Sequence, residues 1–287
     1  MLSERTWPLA LKTSRGRNCK SKYLARRSRG ADWRCARDVG HNAAMLVIAL
    51  DTTTRPGSEA LVLDGAVIGV QAGDPTRPHA ERLPGDLLAL LAANGRSLAD
   101  VDVFAVASGP GSFTGLRIGI AAMQGLAFAG GRPVVGVSAL DALAATAHAF
   151  ENPRTRFVAP WMNAQRGEVF ASLFRCAPSV EGRSVLELVD DPLVDGPREV
   201  VARWRKRGVT GALFIGDGAL QYREWLADAP ELVDAVLDPV PALAPAIAML
   251  ALARIRAGEV SLPHALVPLY VRRPDAEIAR DRRAIGS

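Results

Sequence analysis

Short apolar runs alternate with polar turns along the chain, a pattern that predicts an α/β protein. Residues 45–50 are continuously apolar, which is typical of a strand covered on both faces. Two further apolar runs, 60–63 and 67–71, flank Asp64 and Gly65, a dipeptide that favours a two-residue hairpin turn. We therefore expect three consecutive strands, the last two joined as a hairpin.

Two helices are predicted next. Four leucines follow the spacing i, i+4, i+7 and i+8, namely Leu83, Leu87, Leu90 and Leu91. They indicate a helix over residues 80–93, although Pro84 costs about 3 kcal/mol inside a helix, so the first turn should be irregular or the helix should begin there. A strand at 103–107 and a glycine-rich loop then lead to a second helix over 116–129, with another strand at 134–137.

The second half of the chain repeats this order. Strands are predicted at 157–161, 168–174 and 213–215, and a long apolar helix at 241–257. Two halves of similar size indicate a duplicated α/β architecture. The predicted divisions are a basic extension at 1–44, subdomains at 45–150 and 151–273, and a tail at 274–287, and the last helix could pack back on the first subdomain.

Composition narrows the class of protein. No apolar run approaches the roughly 18 residues of a membrane span, so we expect no membrane association. The three cysteines, Cys19, Cys35 and Cys176, form no C-x-x-C pair, which favours a reducing, cytoplasmic setting.

The glycine-rich loop over residues 109–115 is a candidate anion site. It follows a strand and opens a helix, so its backbone N–H groups and hydroxyls could bind a phosphate, with Arg117 adding a cation. It is neither a Walker loop nor a dinucleotide fingerprint. The alternative, that the glycines simply turn the chain, stays open. The candidate residues are Asp51, Thr52, Thr53, Gly109, Gly111, Ser112, Thr114 and Arg117.

The second predicted helix carries interior glycines such as Gly119 and Gly125. Each costs about 1 kcal/mol relative to alanine, so such a helix usually needs another backbone to come close. With the leucine helix it could dock another subunit, or both helices could be buried within their own domain. The candidate interface residues are His79, Leu83, Leu87, Leu90, Leu91, Gly115, Gly119, Ala122, Met123 and Leu126. On the docking hypothesis, Leu87→Asp or Gly119→Arg should abolish pairing and leave the fold soluble.

Three strings carry a family resemblance. Ile-Ala-Leu-Asp-Thr-Thr at 48–53, His-Ala-Glu-Arg-Leu-Pro at 79–84 and Ser-Gly-Pro-Gly-Ser-Phe-Thr-Gly-Leu-Arg-Ile-Gly at 108–119 resemble the TsaB (YeaZ) family. The resemblance covers residues 45–273. One departure is Asn163-Ala-Gln, where the family usually has Asp-Ala-Arg, and this weakens any charged-ligand role for that turn.

The resemblance implies the actin-like ATPase (ASKHA) fold with two related subdomains. It implies a non-catalytic subunit for making threonylcarbamoyladenosine next to the anticodon of tRNA. That subunit forms a heterodimer with the related transferase TsaD through the two first-subdomain helices, and the ATPase TsaE docks on the pair. No cofactor of its own is expected; ATP and a metal belong to the partner subunits, tRNA joins through the complex, and a homodimer could form in the partner's absence.

The sequence contains few residues that would support a catalytic role. The paralogous transferase holds a metal with a His-x-x-x-His pair, but no two of the four histidines here are four apart, and Leu83 follows His79 at that spacing. The main rival is a stand-alone ATPase or kinase of the same fold, built on Asp51 and the turn Gly216-Asp217-Gly218. A residual ATPase activity is left open.

The first 44 residues hold 11 of the 35 Lys and Arg but only 3 of the 30 Asp and Glu, so the rest of the chain is mildly acidic. This extension lacks sustained apolar periodicity, so we predict that it is disordered. It could be a basic arm on tRNA phosphates, or an upstream start codon could precede a natural beginning at Met45. The composition break favours the second interpretation.

Overall fold

The computed structural model describes residues 9–12, 44–147, 155–180, 183–259 and 263–272. The strands are β1 (Leu9–Lys12), β2 (Leu46–Asp51), β3 (Ser58–Leu63), β4 (Ala66–Ala72), β5 (Val103–Gly109), β6 (Val134–Ser138), β7 (Phe157–Asn163), β8 (Val169–Val180), β9 (Arg183–Asp195), β10 (Ala212–Ile215) and β11 (Val233–Val236). The helices are α1 (His79–Ala93), α2 (Phe113–Gly130), α3 (Ala139–Ala147), α4 (Pro197–Lys206), α5 (Asp217–Gln221), α6 (Arg223–Ala227) and α7 (Ala244–Arg256).

The first subdomain contains a sheet in the order β4-β3-β2-β5-β6, in which β3 runs antiparallel to both neighbours and β2, β5 and β6 run parallel. Every residue of β2 is buried, as its continuous apolar run predicts. Asp64 and Gly65 both have positive φ, at 50° and 92°, which is the conformation of a type I′ hairpin turn. The predicted hairpin is confirmed.

The second sheet repeats this topology. Its order is β1-β9-β8-β7-β10-β11, and apart from the added edge strand β1 it again has one antiparallel strand, β8, between neighbours, with β7, β10 and β11 parallel. The predicted duplication is therefore present, and the chain has the actin-like ATPase fold with two related subdomains.

The two sheets stack with helices between and outside them. On the outer side of the first sheet, α1 and α2 form one apolar core with β2 and β5. Between the sheets, α3 and α7 join a core that draws on both. Outside the second sheet, α4 and α5 pack around Trp161, Trp204 and Phe214. Because α7 follows β11 in the chain but packs on β2 and β3, the last helix does return to the first subdomain.

Several helix starts differ from the sequence prediction. α1 begins at His79 and continues through Pro84 rather than starting there. α2 begins at Phe113, three residues before the predicted start, because the Ser112 hydroxyl accepts the Gly115 N–H at 3.2 Å and caps the helix. α7 begins at Ala244, later than expected.

The N-terminal extension contributes one described segment. A disordered arm was predicted, but the backbone of Leu9–Lys12 pairs in parallel with β9, with Leu9 opposite Ser184. Residues 1–8, 13–43 and the predicted tail at 274–287 lie outside the described residues. Across the described ranges, no helix combines the length and apolarity needed to cross a bilayer.

Candidate functional site

Asp51 ends β2 in the predicted anion site. Its side chain is only 2% exposed, and one carboxylate oxygen accepts hydrogen bonds from the Thr53 backbone N–H at 2.8 Å and the Thr53 hydroxyl at 2.5 Å. Burial raises the pKa of Asp51, and the hydrogen bonds from Thr53 offset this only in part. The Asp51 carboxyl group therefore binds the turn that directly follows it in the chain, at Thr53.

Thr52 packs so closely against α2 that two positions of the helix have room only for glycine. A Cβ atom on Gly115 would lie 2.1 Å from the Thr52 carbonyl oxygen, and one on Gly119 would lie 2.2 Å from the Thr52 hydroxyl oxygen. Both glycines therefore let α2 approach the end of β2 within the same subdomain. They serve internal packing, which was one of the two alternatives that the sequence left open. The Thr52 hydroxyl oxygen is buried and has no hydrogen-bond partner among the described residues.

The glycine-rich loop meets the Thr53 turn directly. The Ser112 N–H donates to the Thr53 carbonyl at 2.9 Å, and a Cβ on Gly111 would lie 2.5 Å from the Thr53 Cβ. Thr114 is exposed on the first turn of α2. The structure thus brings Asp51, Thr52, Thr53, Gly111 and Ser112 together.

Arg117 lies between two aromatic side chains, one of which belongs to the loop. Its Nε donates to the Tyr270 hydroxyl at 3.0 Å, and its guanidinium lies 3.9 Å from the centre of the Phe113 ring. The segment around Tyr270 also covers the loop, since the Leu269 N–H donates to the Ser108 carbonyl at 2.6 Å and a Cβ on Gly109 would strike the Leu269 carbonyl. Arg117 is thus a fixed cation beside Phe113 of the loop, and its role in binding an anion stays a prediction.

Asp217 is the carboxyl of the matching turn in the second subdomain. Its Oδ1 accepts the Asn163 and Gly218 N–H groups at 3.1 and 3.0 Å. Burial raises its pKa, and its charge in turn contributes to the raised pKa of Asp51, so the two carboxyls interact across the subdomains. The strand followed by Gly216-Asp217-Gly218 was the sequence signal for this position.

Most predicted interface residues lie in the core. Those less than about a tenth exposed are Leu83, Leu87, Leu90, Leu91, Gly115, Gly119 and Met123. The leucine stripe packs on β2 and β5, because the apolar face of an outer helix is the one that covers its sheet. In the isolated chain these residues pack inward, whereas His79, Ala122 and Leu126 are half-buried.

An apolar groove with a volume of about 320 Å³ lies between α1 and α2, and its lining combines four predicted interface residues with five others. Its lining consists of Leu83, Pro84, Leu87, Leu88, Leu98, Ala121, Ala122, Gly125 and Leu126. Leu88 is 52% exposed, and a Cβ on Gly125 would meet nothing within 4 Å. The sequence analysis did not name Leu88, Leu98 or Ala121, because it followed the leucine stripe, and it noted Gly125 only as an interior glycine of α2.

A buried polar cluster anchors the start of α1. Arg82, with a side chain 1% exposed, pairs with Asp86 at 2.7 Å and with Glu59 on β3 at 3.4 Å. Burial raises the pKa of Glu59 to about 7. His79 contacts the Thr54 carbonyl oxygen at 3.0 Å and Arg82 at 2.8 Å, so it is tied into the turn.

Over the residues with a described placement, no three His, Cys, Asp or Glu side chains are grouped as metal ligands would be.

Known proteins resemble this chain in sequence and in fold. The family profile "TsaD: tRNA N6-adenosine threonylcarbamoyltransferase" matches residues 67–194. The tRNA threonylcarbamoyladenosine biosynthesis protein TsaB of Escherichia coli is 40% identical over 126 residues, covering 44% of this chain and 53% of the relative. The protein of the same name from Haemophilus influenzae is 37% identical over 128 residues, covering 45% and 53%.

A solved structure decides the family. YeaZ from Pseudomonas aeruginosa matches with a TM-score of 0.65 and 30% identity over 79% of this chain and 99% of that chain. The chain belongs to the TsaB/YeaZ family. It spans about half the length of the curated TsaB relatives it matches, whereas the match to YeaZ includes both sheets.

Proposed function

We propose that this TsaB/YeaZ-family chain is a non-catalytic subunit of the machinery that makes threonylcarbamoyladenosine in tRNA. The 40% identity to a protein named for that pathway carries the proposal. The chain acts by pairing with a TsaD-like transferase, on which a TsaE-like ATPase and tRNA assemble. ATP and a metal belong to those partner subunits.

The first helix supports a non-catalytic role. The residue four positions after His79 is Leu83, which is buried in the core and cannot bind a metal. His79 itself is engaged by the Thr54 carbonyl and by Arg82. A stand-alone ATPase or kinase would depend on Asp51, whose carboxylate is instead engaged by Thr53.

The groove between α1 and α2 is the docking surface in this proposal. It is apolar, and Leu88 together with Phe128, which is 75% exposed on α2, leaves large apolar side chains in solvent. Gly125 opens the middle of α2, so a helix of the partner can approach closely there. A TsaD-like subunit of related fold offers a helix pair of the same kind, and a second copy of this chain is the competing occupant.

Co-purification with the TsaD-like subunit of the same organism tests the proposal. Leu88→Asp and Gly125→Arg should each lower the recovered complex at least about tenfold, since each places a charge in an apolar contact. Val70→Asp is the matched control, because Val70 is 48% exposed on β4, outside the groove lining. Gly125 sits in open space, so its variant should remain folded.

Full recovery of the complex with both groove variants would contradict the docking surface. Steady ATP hydrolysis or threonylcarbamoyl transfer by the isolated chain would contradict the non-catalytic role. If the groove variants abolish a homodimer and leave the complex with the TsaD-like subunit intact, the second copy is the occupant.

A further inference from the structure

The outer face of α4, in the second subdomain, concentrates positive charge. Between Pro197 and Arg207 the chain has five basic side chains and one acidic one, whereas from residue 45 onward it has 24 basic and 27 acidic residues. The basic members are Arg198, Arg203, Arg205, Lys206 and Arg207, and all are exposed. We call them the α4 basic face. Arg205 is paired with Glu231 at 2.6 Å, so the surplus on this helix comes from the other four cations.

Two of these cations are held in place by a single carboxylate. Arg203 donates to both oxygens of Asp190 at 2.7 and 2.9 Å, and Arg207 lies 2.9 Å from the same group. The indole N–H of Trp204 also donates to Asp190, at 3.0 Å. One negative charge therefore orients two guanidinium groups, and the cluster keeps a positive surplus in a fixed geometry.

A depression lies beside these groups. It has a volume of about 470 Å³ and is lined by Glu199, Ala202, Arg203, Lys206 and Arg207. The small side chain of Ala202 leaves room between three cations. A phosphate group entering there would meet two oriented guanidinium groups and one ammonium, while Glu199 is the only opposing charge in the lining.

An aromatic ring flanks the cations. Trp225 on α6 is 41% exposed, and the Arg198 guanidinium lies 4.5 Å from its ring centre. Exposed aromatic rings and arginine planes beside a basic surface are the groups on which unpaired bases stack. A polyanion without bases cannot stack on an aromatic ring, so the exposed Trp225 ring favours a nucleic acid as the ligand.

We propose that the α4 basic face binds the phosphate backbone of RNA and that Trp225 stacks on an unpaired base. RNA binding by this face follows from the cations and the ring. That the RNA is tRNA rests on the proposed function.

Titration of a labelled, unmodified tRNA transcript with the isolated full chain at several salt concentrations tests this surface. Arg198→Glu combined with Lys206→Glu should weaken binding on the order of tenfold and reduce the slope of log K against log salt by roughly 0.7 to 0.9 for each lost phosphate contact. These two residues spare the Asp190 cluster. Arg77→Glu combined with Arg96→Glu, both exposed in the first subdomain, makes the same change in net charge and should change affinity less than about threefold.

Trp225→Ala and a polyphosphate competitor separate RNA from other polyanions. The variant should lower RNA affinity severalfold, and polyphosphate of equal phosphate concentration should compete poorly. Equal weakening by the two double variants, or no weakening by either, overturns the surface. Equal competition by polyphosphate with no effect of Trp225→Ala overturns the assignment to RNA. Because the assay contains no TsaD-like subunit, its outcome does not depend on whether the chain pairs with one.

Discussion

The two subdomains repeat one sheet topology but fix their outer helices with opposite charge arrangements. In the first, one buried cation, Arg82 of α1, stands between the carboxylates of Glu59 and Asp86. In the second, one carboxylate, Asp190 of β9, stands between Arg203 of α4 and Arg207, the residue that follows the helix. The cation of the first cluster is buried and the helix leaves an apolar outer face, whereas the arginines of the second cluster are open to solvent and leave a basic one.

This difference shows how a duplicated fold can carry two kinds of surface. The sheet order needs only buried apolar strands, so it survives in both halves. The outer layer is free to differ once each helix has an anchor to its sheet. We infer that the first subdomain presents a protein-binding groove and the second an RNA-binding face.

The largest effect is expected on the two sides of α1. Leu87→Asp should lower the free energy of unfolding by at least about 4 kcal/mol, because it buries an unpaired charge at a position that is 2% exposed. Leu88→Asp, one residue on and 52% exposed, should change it by about 0.5 kcal/mol or less. Urea denaturation of the two variants measures the contrast, and equal stabilities would mean that α1 does not face the sheet as described. The earlier expectation that Leu87→Asp stays folded is thereby replaced.

Glu59 should give the next largest effect, in the first subdomain. Its pKa is raised from an ordinary value of 4.5 to about 7, so stability is fully present below 4.5 and is lost as the pH rises toward 7. A shift of this size corresponds to about 3 kcal/mol. In Glu59→Gln this loss should be absent or much reduced. Denaturation from pH 4.5 to 8 measures it, and the same slope in both proteins would place an ordinary carboxyl at residue 59.

Asp190 should show the opposite dependence, with a smaller effect, in the second subdomain. Burial alone would raise its pKa, but the hydrogen bonds from Arg203 and Trp204 and the charges of Arg203 and Arg207 hold it below its ordinary value of 3.8. Its contribution is therefore present above that pH and lost below it. Asp190→Asn should cost about 2 kcal/mol at pH 7, and the cost should shrink in acid. A cost that grows in acid would contradict the arrangement.

Local patterns predicted much of the fold. The buried strand β2, the hairpin at Asp64 and the positions of α1 and α2 follow from periodicity and turn residues, which act over a few neighbouring residues. Helix α3 was not predicted, because all nine of its residues are buried and it has no polar face to reveal a period. β9 was missed because charged residues interrupt its apolar pattern.

The sequence by itself determined the order of strands and helices from β2 to β6, the duplication and the family resemblance, since these depend on short motifs and local spacing. Only the tertiary structure decided what each face meets. In the tertiary structure the four leucines of α1 pack on the sheet, and Gly119 lies against Thr52. Arg117 contacts Tyr270, which is 153 residues away along the chain. Contacts between distant segments depend on how whole elements stack, and a local pattern carries no information about which surface will cover it.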